Sequence, residues 1–397
     1  MKNIQLNFQR LCSEDYSIEN VFQSSDYSWP GDWEGRALLA FCCHYEMHKQ
    51  ETSALHALVK LIPEKTNTQL YFGVNFDGVI VDEQQLSGHN WYLRGLLKYA
   101  ELFNSDFAMQ AAKSTVEHLY LPMLEWYDSY PLERDELVGD VSGDVVGVCS
   151  GWKLSSDVGC AFMCVDGLAD YYERTKDCKV KAFLDKVIAI FEKVDLVKYR
   201  FQTHTTLTCT RGILRLYQVT GEAKYLEIVK RIFQIYLDYG MTLTYENYNW
   251  FGREDTWTEP CAVVDSFILA MKLYQITGDN SYLTLSRRIW FNGLQFCQRE
   301  NGGAGPNSCV TVSQRSLKIA MYEASFCCTM RYAEGLLVYF HNSELFDWHD
   351  DMELVVDDLG RRFVDDKILV KSEEQWIPIF SCNTYAKDKA LALKLEV

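Results

Sequence analysis

A repeated segment constrains the fold of this chain more than any other feature. Residues 214–226 (LRLYQVTGEAKYL) and residues 271–283 (MKLYQITGDNSYL) share one order of apolar, glycine and aromatic positions. The first half of each copy has the pattern of a helix end, where Gly221 or Gly278 suits a left-handed cap. The second half begins another helix, with an acidic first turn that suits the helix dipole. The repeat therefore predicts helical hairpins.

Weaker copies of the pattern begin at Leu97 and Leu168, so the hairpins recur along the chain. Stacked hairpins bury one continuous core, either as an open solenoid or as a closed double ring. The copies are more widely and less regularly spaced than the repeats of short-repeat solenoids. Long loops such as residues 240–258 interrupt the pattern, and such loops on a rigid scaffold tend to carry function. We therefore predict a mainly α fold, an (α/α)6 toroid or barrel of helical hairpins with functional loops at one mouth.

The pattern changes past about residue 349. Residues 352–356, 363–370 and 390–397 alternate apolar and polar side chains, which predicts strands. So few strands cannot bury a sandwich of their own. We therefore predict three parts: an N-terminal segment (1–30), the main helical domain (31–345) and a small, partial β domain (346–397).

The composition narrows the range of partners. The net charge is −16 and the isoelectric point is near 5.0, so the acidic surface repels phosphate backbones and we expect no nucleic-acid partner. No stretch of about 18 uncharged apolar residues occurs, so we expect no membrane span. The N-terminus lacks the apolar run of a secretory leader, which favours a cytoplasmic protein, and a homo-oligomer stays open. The 10 Trp and 24 Tyr are either core residues or stacking platforms for a sugar.

The chain has 14 cysteines. In a large chain without a visible leader, reduced thiols or metal ligands are more common than a disulfide framework. Two pairs are adjacent in sequence, Cys42–Cys43 and Cys327–Cys328. The first pair lies inside the apolar run ALLAFCC, so we assign it to core packing.

The most informative segment is DTWTEPCA, at residues 255–262. Pro260 suits the first position of a helix, and the residue before a proline is held in an extended conformation. Glu259 and Cys261 therefore flank a helix N-terminus. Such a position favours negative charge and lowers the pKa of a thiol.

A second cysteine motif, SFCCTMR at residues 325–331, precedes another apolar helix. Cys327 and Cys328 of this motif, together with Cys261, offer three thiolates. With the Glu259 carboxylate they make a set suited to tetrahedral zinc, although the spacing is not that of a zinc finger. The residue types alone leave two hypotheses, a zinc site or buried thiols.

These residues resemble glycoside hydrolase family 127 (GH127), a family of retaining β-L-arabinofuranosidases with many uncharacterised relatives. The resemblance covers residues 33–340 and is most specific between 246 and 331. It rests on four features: the Glu-x-Cys of 259–261 opening a helix that ends in YQITGDxxY, the following RRIWFNGL of 287–294, the CCT of 327–329 and the WEGR of 33–36.

The resemblance implies a double ring of six helix pairs, in agreement with the repeat. It implies a nucleophile at Cys327 and an acid/base glutamate upstream of the Glu-x-Cys motif. Glu246 in YENY is the best match for this glutamate, and Glu254 is the alternative. The implied zinc ligands are Glu259, Cys261, Cys327 and Cys328.

The implied function is a zinc-dependent retaining glycoside hydrolase that acts on a furanoside such as a β-L-arabinofuranoside. Zinc would keep the Cys327 thiol deprotonated for attack on the sugar. Glu246 would first protonate the leaving oxygen and then activate water. Retaining geometry predicts a separation of roughly 5–6 Å between the Glu246 carboxyl and the Cys327 thiol.

Five further side chains are candidate sugar contacts. His89 (in SGHNW) and His204 (in QTHTT) each stand before a predicted helix, where they would meet a sugar hydroxyl at the mouth. The alternative is that each histidine caps its own helix. Aromatic residues in the Glu246 loop are candidates for the wall behind the sugar ring: Tyr245, Tyr248 and Trp250.

The sequence differs from the family pattern at two places. Pro260 stands where relatives usually carry Ser or Thr, and Thr329-Met330-Arg331 stands where many carry Pro-Pro-Asn. Two other hypotheses stay open: a non-catalytic sugar-binding or scaffold protein with a structural zinc site, and another toroid carbohydrate enzyme such as an epimerase or a lyase. An epimerase uses histidine acid/base pairs and needs no cysteine cluster, which argues against it.

Overall fold

Helices make up most of the chain in the computed structural model, which describes residues 2–23, 29–133, 141–311, 313, 318–346, 362–364, 367–372 and 375–379. The α-helices are α1 (Lys2–Leu11), α2 (Ile18–Gln23), α3 (Asp32–His48), α4 (Leu55–Lys65), α5 (Glu83–Phe103), α6 (Asp106–Thr115), α7 (Cys164–Thr175), α8 (Cys178–Phe191), α9 (Thr203–Thr220), α10 (Ala223–Tyr239), α11 (Pro260–Thr277), α12 (Asn280–Arg288), α13 (Gln295–Cys297) and α14 (Cys328–His341). The strands are β1 (Val81–Asp82), β2 (Val145–Cys149), β3 (Trp152–Ser155), β4 (Arg362–Val364), β5 (Lys367–Ser372) and β6 (Gln375–Ile379). None of the helices in these ranges is long and apolar enough to cross a membrane.

The chain divides into two units. The first unit contains Met1–Arg10, Gly240–Asn249 and Arg253–Val397. The second unit contains Leu11–Tyr239 and Trp250–Gly252. The first unit therefore holds α11–α14 and nearly all of α1, and the second holds α2–α10.

The four predicted helical hairpins are confirmed. The second unit contains the pairs α5–α6, α7–α8 and α9–α10, and the first unit contains α11–α12. The first helix of every pair ends where the backbone turns left-handed, which stops the helix and reverses the chain. These residues are Asn104, Lys176, Gly221 and Gly278, with φ of 50°, 54°, 72° and 71°.

One detail of the hairpin prediction is wrong. Neither α10 nor α12 has an acidic residue in its first turn. Asp279 instead precedes α12 as its N-cap, where its carboxylate accepts a hydrogen bond from the Ser281 N–H at 2.8 Å. An aspartate at this position satisfies one of the N–H groups that a helix start leaves without an intrahelical partner.

Helices of the second unit touch backbone to backbone. At Gly35 of α3, a Cβ atom would lie 2.1 Å from the backbone nitrogen of Tyr92 in α5, so no larger residue fits there. Cys42 and Cys43 of α3 are fully buried. The predicted core role of this cysteine pair is therefore confirmed.

The sequence patterns do not predict the small sheet of the second unit. β3 lies between β1, which runs parallel to it, and β2, which runs antiparallel. The strands have two to five residues, too few for a clear alternation. Glu83 at the start of α5 joins the sheet because its carboxylate accepts hydrogen bonds from the Ser155 N–H and the Tyr130 hydroxyl.

The C-terminal strands form an antiparallel sheet in the order β4-β5-β6. The prediction of a single strand at 363–370 is wrong, because this segment contributes to both β4 and β5. Two consecutive aspartates interrupt its apolar alternation. β6 is not among the predicted strands. The strands predicted at 352–356 and 390–397 lie outside the described residues, and the boundaries 1–30, 31–345 and 346–397 stay predictions.

In the first unit, α1 is tied to the start of α14. The side-chain amide of Asn7 donates to the backbone oxygen of Thr329 at 3.1 Å. Arg10 pairs with the carboxylate of Glu323 at 2.9 Å, and the Thr329 hydroxyl donates to the same carboxylate at 2.8 Å. Two of these contacts hold Thr329, the residue that follows Cys328, and the third anchors its partner Glu323.

Candidate active site

The first part of the site is the start of α11. Pro260 occupies the first helical position, and Glu259 before it is extended (φ −122°, ψ 114°), as predicted. The N–H of Glu259 donates to Oδ1 of Asn247 at 3.0 Å, which ties this helix start to the preceding loop. Cys261 follows in the first turn and is fully buried.

The second part of the site is the start of α14. Cys327 precedes the helix with a non-helical backbone (φ −146°, ψ −66°), and Cys328 is the first helical residue. Cys327 is partly exposed, whereas Cys328 is buried. The two adjacent thiols therefore differ in access to solvent.

The two helix starts bring four potential ligand atoms together. Within the described residues, one group of this kind could hold a metal ion, and its ligand atoms lie within 4.8 Å of one another: those of Glu259, Cys261, Cys327 and Cys328. The Sγ atom of Cys328 lies 3.5 Å from that of Cys261 and 3.3 Å from that of Cys327. Two thiolates on one tetrahedral zinc ion are about 3.8 Å apart, since each Zn–S bond is about 2.3 Å long. The residues predicted from the sequence thus lie close to the spacing that a metal requires.

The donor set suits zinc better than a hard cation. Thiols and a carboxylate are zinc ligands, whereas magnesium and calcium take oxygen ligands alone. Burial raises the pKa of the Cys328 thiol well above its ordinary value, and the neighbouring Cys261 and Glu259 raise it further. A divalent cation offsets this cost because it stabilises the thiolate.

A second candidate group of the first unit is the carboxyl of Glu246, which is 1% exposed. Oε1 accepts hydrogen bonds from Nδ2 of Asn307 at 2.8 Å and from the Thr258 hydroxyl at 3.3 Å. Oε2 accepts one from the Thr244 hydroxyl at 2.8 Å. Burial raises the pKa of Glu246 to about 7, although the bonds from Asn307 and Thr244 oppose the shift. The alternative acid/base candidate, Glu254, is exposed.

Asn307 is oriented by a buried arginine. Nη2 of Arg299 donates to Oδ1 of Asn307 at 2.9 Å, so the NH2 group of this amide is the end that faces Glu246. The same guanidinium donates to the backbone oxygens of Gly305 and Tyr322, each at 2.8 Å. Sequence analysis missed Arg299 and Asn307, because neither lies in a motif and Asn307 is 61 positions from Glu246.

The carboxyl and the cysteine group share one short segment. Thr258, whose hydroxyl contacts Glu246, directly precedes Glu259. Asn247, which directly follows Glu246, accepts the N–H of Glu259. Thr258 is also paired with Asn307 through their backbones at 2.7 Å. A displacement of the Glu246 loop would therefore reach the start of α11.

Residues 160–295 match the family described as β-L-arabinofuranosidase, GH127 catalytic domain. This segment of the chain is therefore similar to a GH127 catalytic domain. The resemblance seen in the sequence is thereby confirmed. The matched segment contains Glu246 and the Glu-x-Cys motif, and it ends before Cys327. No curated protein matches the chain.

Solved structures confirm the predicted fold class of this chain. The structure of a glycoside hydrolase has a TM-score of 0.53 and 14% sequence identity, and the match covers 81% of this chain and 57% of that protein. A GH127 β-arabinofuranosidase has a TM-score of 0.56 and 12% sequence identity, and the match covers 94% of this chain and 64% of that protein. The cellobiose 2-epimerase of Bacillus thermoamylovorans has a TM-score of 0.52 and 14% sequence identity, and the match covers 79% of this chain and 88% of that protein. The predicted mainly α, (α/α)6 class is therefore correct, and this chain spans less than two thirds of the first two proteins.

Two of the three candidate aromatic contacts lie in the first unit beside Glu246. Tyr245 is 4% exposed, and Cζ of Arg288 lies 5.7 Å from its ring centre. Tyr248 is buried as well. Trp250 belongs to the second unit, where it is fully buried and its Nε1 donates to the Ser156 oxygen at 3.3 Å. Their role as a sugar wall stays a prediction.

Both candidate histidines lie in the second unit. The prediction that His89 precedes its helix is wrong. His89 lies inside α5, because Asp82 caps that helix several residues earlier. Its Nε2 accepts the Phe72 N–H at 2.9 Å and its Nδ1 bonds to the Gln85 oxygen at 2.7 Å. Burial lowers the pKa of His89 to about 4, so the ring is neutral and holds two backbone segments together.

His204 was predicted to stand before a helix, and it lies at the start of one, as the second residue of α9. Its ring stacks on Trp91, with ring centres 5.6 Å apart and planes inclined by 8°. The guanidinium of Arg36 covers Trp91 at 4.3 Å. A sugar contact for His204, as for His89, stays a prediction.

Proposed function

We propose that this chain is a zinc-dependent retaining glycoside hydrolase that acts on a furanoside such as a β-L-arabinofuranoside. One observation carries the proposal: the Glu–Cys group and the buried Glu246 carboxyl belong to one hydrogen-bonded segment of the first unit. The family match and the similarity to a solved GH127 β-arabinofuranosidase support the substrate class. A cytoplasmic location and a homo-oligomer stay predictions.

Cys327 acts as the nucleophile. It is the partly exposed cysteine of the group, so its Sγ is the one that a sugar can reach. It stands at the N-cap of α14, where the helix dipole favours a thiolate. Zinc would be held by Glu259, Cys261, Cys327 and Cys328, and it would supply the deprotonation of the thiols at neutral pH.

Glu246 acts as the acid and then as the base. Sγ of Cys327 attacks the anomeric carbon while the bond to the leaving oxygen breaks, and Glu246 gives its proton to that oxygen. The Glu246 carboxylate then takes a proton from a water that attacks the same carbon, and Cys327 leaves as a thiolate. A pKa of about 7 suits both roles near neutral pH.

The test is hydrolysis of p-nitrophenyl β-L-arabinofuranoside by the purified full chain, before and after zinc removal. We expect hydrolysis with retention, and a loss of about 10²–10⁴-fold or more in Cys327→Ala and Glu246→Gln. Cys178→Ala, which changes an exposed cysteine of the second unit, should keep full activity. If the zinc-loaded protein hydrolyses no furanoside, or if Cys327→Ala stays active, the proposal is wrong and a sugar-binding protein becomes the better hypothesis.

A further inference from the structure

The residue before Glu246 has an unusual backbone. Tyr245 adopts a left-handed φ of 60°, a conformation that is strained for a non-glycine residue. It belongs to a tight turn with two backbone hydrogen bonds. The Tyr245 N–H donates to the backbone oxygen of Thr242 at 3.1 Å, and the Thr242 N–H donates to the backbone oxygen of Glu246 at 3.0 Å. A strained residue persists only where its surroundings hold it. The direction of the Glu246 side chain depends on that hold.

Gly293 supplies one side of the hold. An ideal Cβ at this position would lie 2.7 Å from the Tyr245 oxygen and 3.2 Å from Cγ1 of Val263. Val263 is two residues beyond Cys261 on α11. Gly293 is therefore the point where the Glu246 loop and the helix of the cysteine group both approach a third backbone, and only a residue without a side chain fits.

The second side of the hold comes from the same turn. Ile289–Leu294 is a π-helical turn, a wide form of helix that is frequent at functional sites. Arg288 directly precedes it and covers the Tyr245 ring, with Cζ 5.7 Å from the ring centre. Asn292 fixes this geometry by donating from Nδ2 to the Arg288 oxygen at 2.9 Å. The turn thus contacts both the carbonyl and the ring of Tyr245.

We infer that the π-helical turn Ile289–Leu294 positions the acid/base residue, and that Gly293 is the positioning residue through its contact with the Tyr245 carbonyl. The inference rests on the role proposed for Glu246. It adds a specific requirement: the position of the Glu246 carboxyl depends on the absence of a side chain at position 293, far along the chain. Gly293→Ala must move the Tyr245 carbonyl, because carbon and oxygen cannot approach to 2.7 Å.

The experiment compares Gly293→Ala with Gly278→Ala. The control removes a glycine with φ of 71° at the end of α11, in the same unit, where an added Cβ meets nothing within 4 Å. Both variants are destabilised, but only the first touches the Glu246 loop. The readouts are the Glu246 pKa from ¹³C NMR, assigned with Glu246→Gln, and the zinc bound per chain.

We expect Gly293→Ala to shift the Glu246 pKa by about half a unit or more, because the carboxyl moves relative to its donors. Gly278→Ala should leave this pKa unchanged, and both variants should bind as much zinc as the parent. An unchanged Glu246 pKa in Gly293→Ala, or an equal shift in the control, would overturn the inference.

Two further points keep the result decisive. If Gly293→Ala does not fold, Tyr245→Gly replaces it, since glycine accepts a positive φ without strain and releases the hold on the loop. An unshifted Glu246 pKa in that variant would also overturn the inference. The NMR titration needs no substrate. A wild-type protein without hydrolase activity would therefore refute the proposed function, whereas the measured Glu246 pKa alone would decide this inference.

Discussion

Asp265 and Arg331 form a fully buried ion pair, and each stands four residues after a cysteine of the candidate metal group. Asp265 follows Cys261 on α11, and Arg331 follows Cys327 at the start of α14. The Arg331 guanidinium also pairs with Glu334. The two helices that carry the ligands are therefore joined by charge one turn below the ligand atoms. Arg331 is also one of the two places where the sequence differs from the family pattern.

We predict that Arg331→Met destabilises the protein by about 3–5 kcal/mol, because it leaves the buried Asp265 without this cation. Urea unfolding measures the change. Lys186→Met, which removes a partly exposed cation from the exposed carboxylates of Glu125 and Asp128, should cost no more than about 1 kcal/mol. The double variant Arg331→Met/Asp265→Leu should recover part of the loss, because it removes Asp265 but leaves the buried Glu334, and a loss that persists in full would contradict this explanation.

A second prediction concerns stability and pH. The pKa of Glu246 is about 7 in the folded protein, against an ordinary value of 4.5. Above pH 4.5 the unfolded chain releases this proton first, so the stabilisation present at lower pH is lost as the pH rises through 7. Glu246→Gln should therefore gain about 3 kcal/mol relative to the parent between pH 4.5 and 7.5. If the free energies of unfolding of the two proteins change in parallel with pH, this prediction is refuted.

The pH dependence of hydrolysis gives a third prediction. The kcat/KM of the wild-type protein should fall above about pH 7, where the Glu246 acid loses its proton. Asn307→Ala removes a donor to the carboxylate, so it should raise the Glu246 pKa. The alkaline limb of the pH profile, where kcat/KM falls, should then move upward by about one pH unit. Asn342→Ala, at the end of α14, should leave the limb in place. A limb that moves downward, or moves equally in both variants, would contradict the role of Asn307.

A fourth prediction concerns the metal. The apo protein should bind one Co²⁺ per chain with the intense near-ultraviolet absorption of thiolate ligation, and Zn²⁺ should displace it. Cys261→Ser and Cys328→Ser should each weaken Zn²⁺ binding by about 10-fold or more, because a hydroxyl is a poorer zinc ligand. Cys178→Ser tests general thiol loss and should bind normally. Tight binding retained in Cys328→Ser would remove this residue from the ligand set.

The sequence by itself determined the local features of the protein. The order of apolar and glycine positions sets where helices end, so the hairpins around Gly221 and Gly278 could be predicted from residues that are neighbours in the chain. A proline forces the residue before it to be extended, so the conformation of Glu259 was also predictable. The cysteine group followed from residue types and the family resemblance, because its members lie at two helix starts that carry motifs.

The tertiary structure decided what surrounds those motifs. Asn307 and Arg299 orient Glu246, Gly293 bounds its loop, and Asp265 pairs with Arg331 across two helices. These contacts join residues tens of positions apart, and their energies come from burial and from excluded volume. Neither quantity leaves a periodic trace in the sequence, because a side chain acquires its partners only when distant segments pack together.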